Sequence, residues 1–127
     1  MTVYTQGFVA ERTTSSSPTT VNIVLPRQVL DGYGYADDHL TCECTLSWSR
    51  GSTASLIGIV KVMGIFRFSA ADTLDVSTGY ALLHSLGTTP PTGIGFDVNS
   101  NNPRFNFTTA AADTTNWVLK GSIWIAT

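Results

Sequence analysis

The residues best equipped for chemistry crowd into one stretch. Asp31, Asp37, Asp38 and His39 surround the glycine-rich segment DGYGYADDH, and Cys42 and Cys44 follow in LTCECTLSW. Closely spaced acids can offer hard oxygen ligands to calcium, but this spacing does not match the D-x-D-x-D-G pattern of an EF-hand loop. Acids in a loop of a β protein are ordinarily solvated. A Cys-x-Cys pair is half a zinc site and needs two more ligands. Only His39 and His84 are available, and His84 lies far along the chain. Two strand residues at i and i+2 share a face with Cα atoms about 6.5–7 Å apart, at or beyond the reach of a disulfide. Cys42 and Cys44 therefore read as two small buried hydrophobes. A histidine near a serine can begin a nucleophile–base pair, but a serine-rich chain offers that in many places. GYGY lacks the helix and lysine of a phosphate-binding loop. No catalytic residue, metal or cofactor is assigned.

Binding chemistry is better represented. Tyr33 and Tyr35 sit in the glycine-rich loop, and Trp124 lies close to the end of the sequence. Exposed rings can stack on sugars or anchor a protein interface, and ordinary packing is the alternative. Asn106-Phe107-Thr108 fits the glycosylation pattern. It falls in mid-strand, and without a secretion leader it is expected to be idle.

The elements that must carry these residues are strands. Apolar residues recur with period two, and turn chemistry separates the runs. A first strand is expected near Thr2–Arg12, followed by the turn TTSSSPTT. Val21, Ile23 and Leu25 share a face of the next strand, and Pro26 marks an edge or an end. In the segment after the acidic loop, Leu40, Cys42, Cys44, Leu46 and Trp48 alternate with Thr41, Glu43, Thr45, Ser47 and Ser49. That pattern predicts one face in the core and one in water.

ASLIGIVKVMGIFRFSA is different. Leu56, Val60, Val62, Phe66 and Phe68 fall on one face, while Ile57, Ile59, Met63 and Ile65 fall on the other with Lys61 and Arg67. A strand apolar on both faces needs cover on both faces. With no helices predicted, the cover is a second layer of this chain or another subunit. Gly58 and Gly64 permit bends or close backbone approach.

SAADTLDVSTG reads as a loop with a short strand at Leu74–Val76, and GYALLHSLG as a short helix or a strand. TTPPTG breaks the chain. Ile94, Phe96 and Val98 share a face in IGFDVN, as do Phe105 and Phe107 in PRFNFTT. In the last run, Trp117, Leu119, Ile123 and Ile125 share a face with Gly121 between them. Val118, Lys120, Ser122 and Trp124 share the other. The expectation is an all-β, antiparallel β-sandwich or jelly-roll-like fold of about seven or eight strands. It would form one domain over residues 1–127, with little or no helix.

Composition narrows the partners. The chain has 127 residues and a formal net charge of −2. It carries no basic stripe, so nucleic-acid binding is not expected. Charged residues make up 13%, against about 25% in ordinary soluble domains. Mean hydropathy is +0.12. Such a surface belongs to a neutral, threonine-rich β protein or to one partly covered by partner chains. MTVYTQGFVAERTT has no basic start followed by an apolar run, so no secretion leader is expected. No stretch approaches the roughly 18 apolar residues of a membrane helix. Synthesis in the cytosol with no membrane partner is the expectation.

The order IGFDVN, turn, PRFNFTT, the small-residue turn AAADTT and the terminal NWVLKGSIWI resembles small virion proteins of tailed bacteriophages. LTCECTLSWSRGSTASLIGIVKVMGIFRFS is similar to their central hairpin, and LLHSLG to the segment after it. The resemblance covers Leu40 to Thr127, with no match over the first 39 residues. It implies a β-sandwich that assembles, often as a homotrimer, on the head or tail of a virion. The leading expectation is thus a non-enzymatic virion protein that self-associates and contacts other virion proteins, as capsid decoration or a tail accessory. The alternative is a carbohydrate- or receptor-binding module of a tail or fibre, and the third reading a small β-fold hydrolase. The contact residues expected on these grounds are Trp124, Tyr33, Tyr35, Ile57, Ile59 and Met63.

Overall fold

A computed structural model of the chain describes residues 3–15, 17–26, 38–50, 53–70, 73–87, 90–109 and 114–126, with the backbone alone described at 50, 53–57, 76–87 and 126. The described residues form eight strands: β1 (Val3–Thr14), β2 (Thr20–Val24), β3 (His39–Arg50), β4 (Thr53–Ala70), β5 (Thr73–Gly87), β6 (Thr92–Asn99), β7 (Asn102–Thr108) and β8 (Thr115–Ala126). They make two antiparallel sheets, one of five strands in the order β1-β8-β3-β4-β5 and one of three in the order β2-β7-β6. This is the all-β sandwich expected from the period-two pattern. The sheets are unequal because β3, β4 and β5 follow one another as neighbours in a single sheet.

Alternation decides which side faces inward. Leu40, Cys42, Cys44, Leu46 and Trp48 of β3 are buried, as are Val60, Val62, Phe66 and Phe68 of β4 and Trp117, Leu119, Ile123 and Ile125 of β8. From the smaller sheet, Val21, Ile23, Phe96, Phe105 and Phe107 close the same core, with Leu25 just beyond β2. Fully burying one such side chain contributes about 1.5–3 kcal/mol. The layers meet through rings. Phe107 lies 4.7 Å from Trp117 and Phe96 5.6 Å edge-on from Phe66, between ring centroids.

The two glycines of β4 do serve close approach. A Cβ on Gly58 would fall within the Trp48 ring, and one on Gly64 within the Phe96 ring. Both aromatics thus pack directly against bare backbone. Between β6 and β7, Ser100 and Asn101 have φ of 49° and 64°. Two positive φ values are what a two-residue hairpin requires, and Asn tolerates that region better than most residues. The Asn101 side chain also accepts a 2.6 Å hydrogen bond from the Leu74 N–H, tying this turn to β5.

One expectation needs correction. The segment after Phe68 is not a loop with a short strand at Leu74–Val76, because Thr73–Gly87 is one long strand. Its register against β4 shifts at four places, between Lys61 and Val62, Ile65 and Phe66, Phe66 and Phe68, and Phe68 and Ala70. Each bulge breaks the period-two signal. The strand alternative for GYALLHSLG is the one adopted. Elsewhere β1 runs two residues past Arg12, to Thr14, and Pro26 follows the short edge strand β2.

Candidate functional site

The outer face of the five-stranded sheet is built by the residues that alternate with the core. Strand register sets them in rows. Thr5, Trp124, Thr41 and Ile65 form one, and Gly7, Ser122, Glu43 and Met63 the next. Val9, Lys120, Thr45 and Lys61 follow, then Glu11, Val118, Ser47 and Ile59. Down β4 the face carries Ile65, Met63 and Ile59, broken by Lys61, and on β8 Trp124 and Val118 stand apart with Ser122 and Lys120 between them. The hydroxyl-rich column of β3 separates the two strands by about 9.5 Å.

No described segment lies over this face. Ile59 is 38% exposed, Ile65 40% and Val9 63%. Met63, Val118 and Trp124 are half-buried among their sheet neighbours. The choice left open by the doubly apolar β4 is therefore narrowed. The second sheet covers the inner face only, and among the described residues no layer of the chain covers the outer one.

Charges on the face are few. Lys61 Nζ lies 2.6 Å from Glu43 Oε1, and Arg67 Nη2 lies 3.0 Å from Asp75 Oδ2. Both pairs are exposed and each is worth about 0–1 kcal/mol. They also remove two cations and two anions as free charges, which lowers the desolvation cost of covering the surface.

Trp124, Ile59 and Met63 lie on one face of the sheet, Trp124 in the row of Ile65, Met63 in the next and Ile59 three rows from Trp124. Ile57 lies in β4 opposite Ser49, but its side chain is outside the described residues. Tyr33 and Tyr35, with Asp31 and Asp37, also fall outside them. Asp38 and His39 are described. Asp38 accepts a 3.0 Å backbone bond from the Phe68 N–H, and His39 pairs with Arg67 at the start of β3. Among the described residues no group of three or more His, Cys, Asp or Glu converges as metal ligands would, and no helix is long and apolar enough to cross a membrane. The residues missed from the sequence are Val3 and Val9, exposed on β1. Their membership depends on β1 lying beside β8, a pairing between distant segments that no local pattern announces.

Cys42 and Cys44 are free thiols, 0% and 1% exposed. A hydrogen bond with Cys44 and burial both push the Cys42 thiol up, so it stays protonated. Both pack as core residues, and Cys44 sits against Gly121, where a Cβ would strike the β3 backbone.

On the smaller sheet, Arg104 donates from Nε to Asp97 Oδ1 at 2.8 Å and from Nη2 to Asp97 Oδ2 at 2.7 Å. This fork holds the Asp97 carboxyl below its ordinary range. Asn106 lies in mid-strand on β7, opposite Asn22.

What the outer face can do chemically is stack, exclude water and bury apolar area. Trp124, already half-buried, brings to such a contact only the part of its ring still open to solvent.

No family model matches the chain, and no curated protein matches it. Among solved structures, the tailspike protein of Acinetobacter baumannii phage AM24 aligns with a TM-score of 0.47 and 12% identity, over 95% of this chain and 26% of that one. The chain spans about a quarter of the length of that tailspike, at 26%.

Proposed function

We propose that the protein is a non-enzymatic structural protein of a tailed-phage virion, which self-associates on the capsid or tail surface by burying the outer face of its five-stranded sheet. One observation carries the assembly part: the face bearing Ile59, Met63, Ile65 and Trp124 has no cover among the described residues, and Ile59 and Ile65 stand 38% and 40% exposed. Grouped apolar side chains on a surface poor in charge mark an interaction site. The phage assignment is supported by the strand order and composition from Leu40 to Thr127. A trimer is the expected form, each copy presenting this face to the next.

Light scattering at micromolar concentration tests the assembly. An oligomer is expected, and a clean monomer would overturn the proposal. A cryo-EM map of the virion tests the location, with density for this sandwich expected on the head or tail exterior.

A receptor-binding reading has its own support. Trp124 stands between the hydroxyls of Thr5 and Thr41 in one row of a sheet face, a setting in which a ring can stack on a sugar while hydroxyls bond its edge. A glycan array separates the two readings, because a plain structural protein binds nothing on it.

A further inference from the structure

Among the described residues the sandwich has four edge strands, and three of them are guarded. β2 has five residues and is followed by Pro26. β6 has a register shift between Thr92 and Gly95, and β5 has four shifts along its pairing with β4. Short length, proline and bulges are the ordinary means of preventing edge-to-edge pairing. β1 has none of them. Its twelve residues pair with β8 in unbroken register from Val3 to Thr14. It contains no proline, and its only charges are Glu11 and Arg12. Among the described residues it pairs on one side only. Every second residue therefore turns its N–H and C=O toward the open edge.

The side chains beside that edge are also unfinished. Tyr4, Phe8 and Ala10 point inward and pack against the core, yet they stay only partly buried. The five-stranded sheet outreaches the three-stranded one, and β1 lies at its margin.

We propose that β1 pairs antiparallel with β1 of a second copy about a two-fold axis centred on Phe8, making one continuous sheet across the two subunits. This rests on the reading that the protein self-associates, and it uses a surface other than the outer face. A register that keeps core-facing residues on the core side must pair even positions with even and odd with odd. Centring on Phe8 does so from Val3 to Thr13. Phe8 meets the partner's Phe8, Gln6 the partner's Ala10 and Gly7 the partner's Val9. Tyr4 meets the partner's Arg12, which suits a cation over a ring, and Glu11 meets the partner's Thr5. No charge faces its like, so the strand is complementary to itself, as a two-fold interface requires. A ring of copies joined by their outer faces leaves every β1 edge free, and edge pairing then links one ring to the next.

Cysteine cross-linking tests the register. Gly7→Cys and Val9→Cys proteins are mixed under mild oxidation. Both sites are exposed, and a Cβ at Gly7 makes no contact closer than 3.7 Å, so both variants should fold. A disulfide-linked heterodimer is expected. Thr5→Cys alone should not cross-link, because its two copies would lie about 20 Å apart along the pair. Buried Cys42 and Cys44 do not compete. Amide exchange gives an independent reading: alternate β1 amides should be protected at high protein concentration and lose that protection on dilution. Light scattering showing an oligomer with no cross-link and no such protection overturns the edge pairing and leaves self-association standing. A monomer at every concentration overturns both. Thr5→Cys linking as readily as the mixture overturns the register.

Discussion

Replacing Trp117 by alanine should cost about 3–5 kcal/mol, the usual range for a buried Trp→Ala change. The structure places this site at the upper part of that range. Trp117 is 1% exposed, and its ring sits 4.7 Å from Phe107 and 5.7 Å from Trp48 between centroids. It therefore joins the two sheets and β8 to β3 at once. Its Nε1–H also donates a 2.9 Å bond to Thr14 Oγ1, and Thr14 is 8% exposed. Truncation leaves that hydroxyl without its donor in the core, at a cost of about 1 kcal/mol or more. With unfolding entropy near 2.1 cal/mol/K per residue over 127 residues, the loss lowers Tm by roughly 10–20 °C. Urea unfolding followed by far-UV circular dichroism is the assay, with wild type and variant sharing one m-value. Trp117→Phe keeps a ring but loses the hydrogen bond, and should cost about 1–2 kcal/mol. A loss below about 1 kcal/mol for Trp117→Ala would refute the reasoning, because no residue with these contacts should be dispensable.

Gly121→Ala should destabilise more than Gly64→Ala. The first drives a Cβ into the β3 backbone at Glu43 and Cys44, while the second meets only the Phe96 ring, which can tilt. Overpacking of this kind costs about 1–3 kcal/mol, and equal losses in denaturant would contradict the distinction. The Asp97 carboxyl should titrate below the ordinary aspartate value of about 3.9, because Arg104 bonds its charged form. The pair's stabilisation is therefore present above that ordinary value and lost as pH falls through the lower pKa of Asp97. Arg104→Gln should return the midpoint toward normal, as read by carboxyl NMR. Cys42 and Cys44 should resist a neutral thiol reagent in the native protein and react on unfolding, and rapid native labelling would contradict their burial. Trp124→Ala should leave the unfolding midpoint within about 0.5 kcal/mol of wild type but weaken self-association by roughly 30-fold, as loss of an interface anchor does.

How far the sequence revealed this molecule depended on where each constraint is local. β3 and β8 were legible to the residue because one face of each is buried without interruption, so period two survives intact. β4 was legible as a doubly apolar strand, and its glycines as points of close approach. β5 was not, because its bulges against β4 scramble the alternation that identifies a strand. The pairing of β1 with β8 and of β2 with β7 joins segments far apart in the chain and leaves no local mark. The site was half legible for the same reason. Ile59, Met63 and Trp124 were identifiable from alternation alone. That they share a face with Val3 and Val9, and that a three-stranded layer covers only the opposite side, follows from strand order.

The most direct test of the account is the solution mass of the wild type beside that of an Ile59→Asp variant, by light scattering across micromolar concentrations. The outer-face reading predicts an oligomer for the wild type and a lower mass for the variant, with matching circular dichroism and unfolding midpoints. A monomeric wild type, or a variant that assembles as the wild type does, would contradict it.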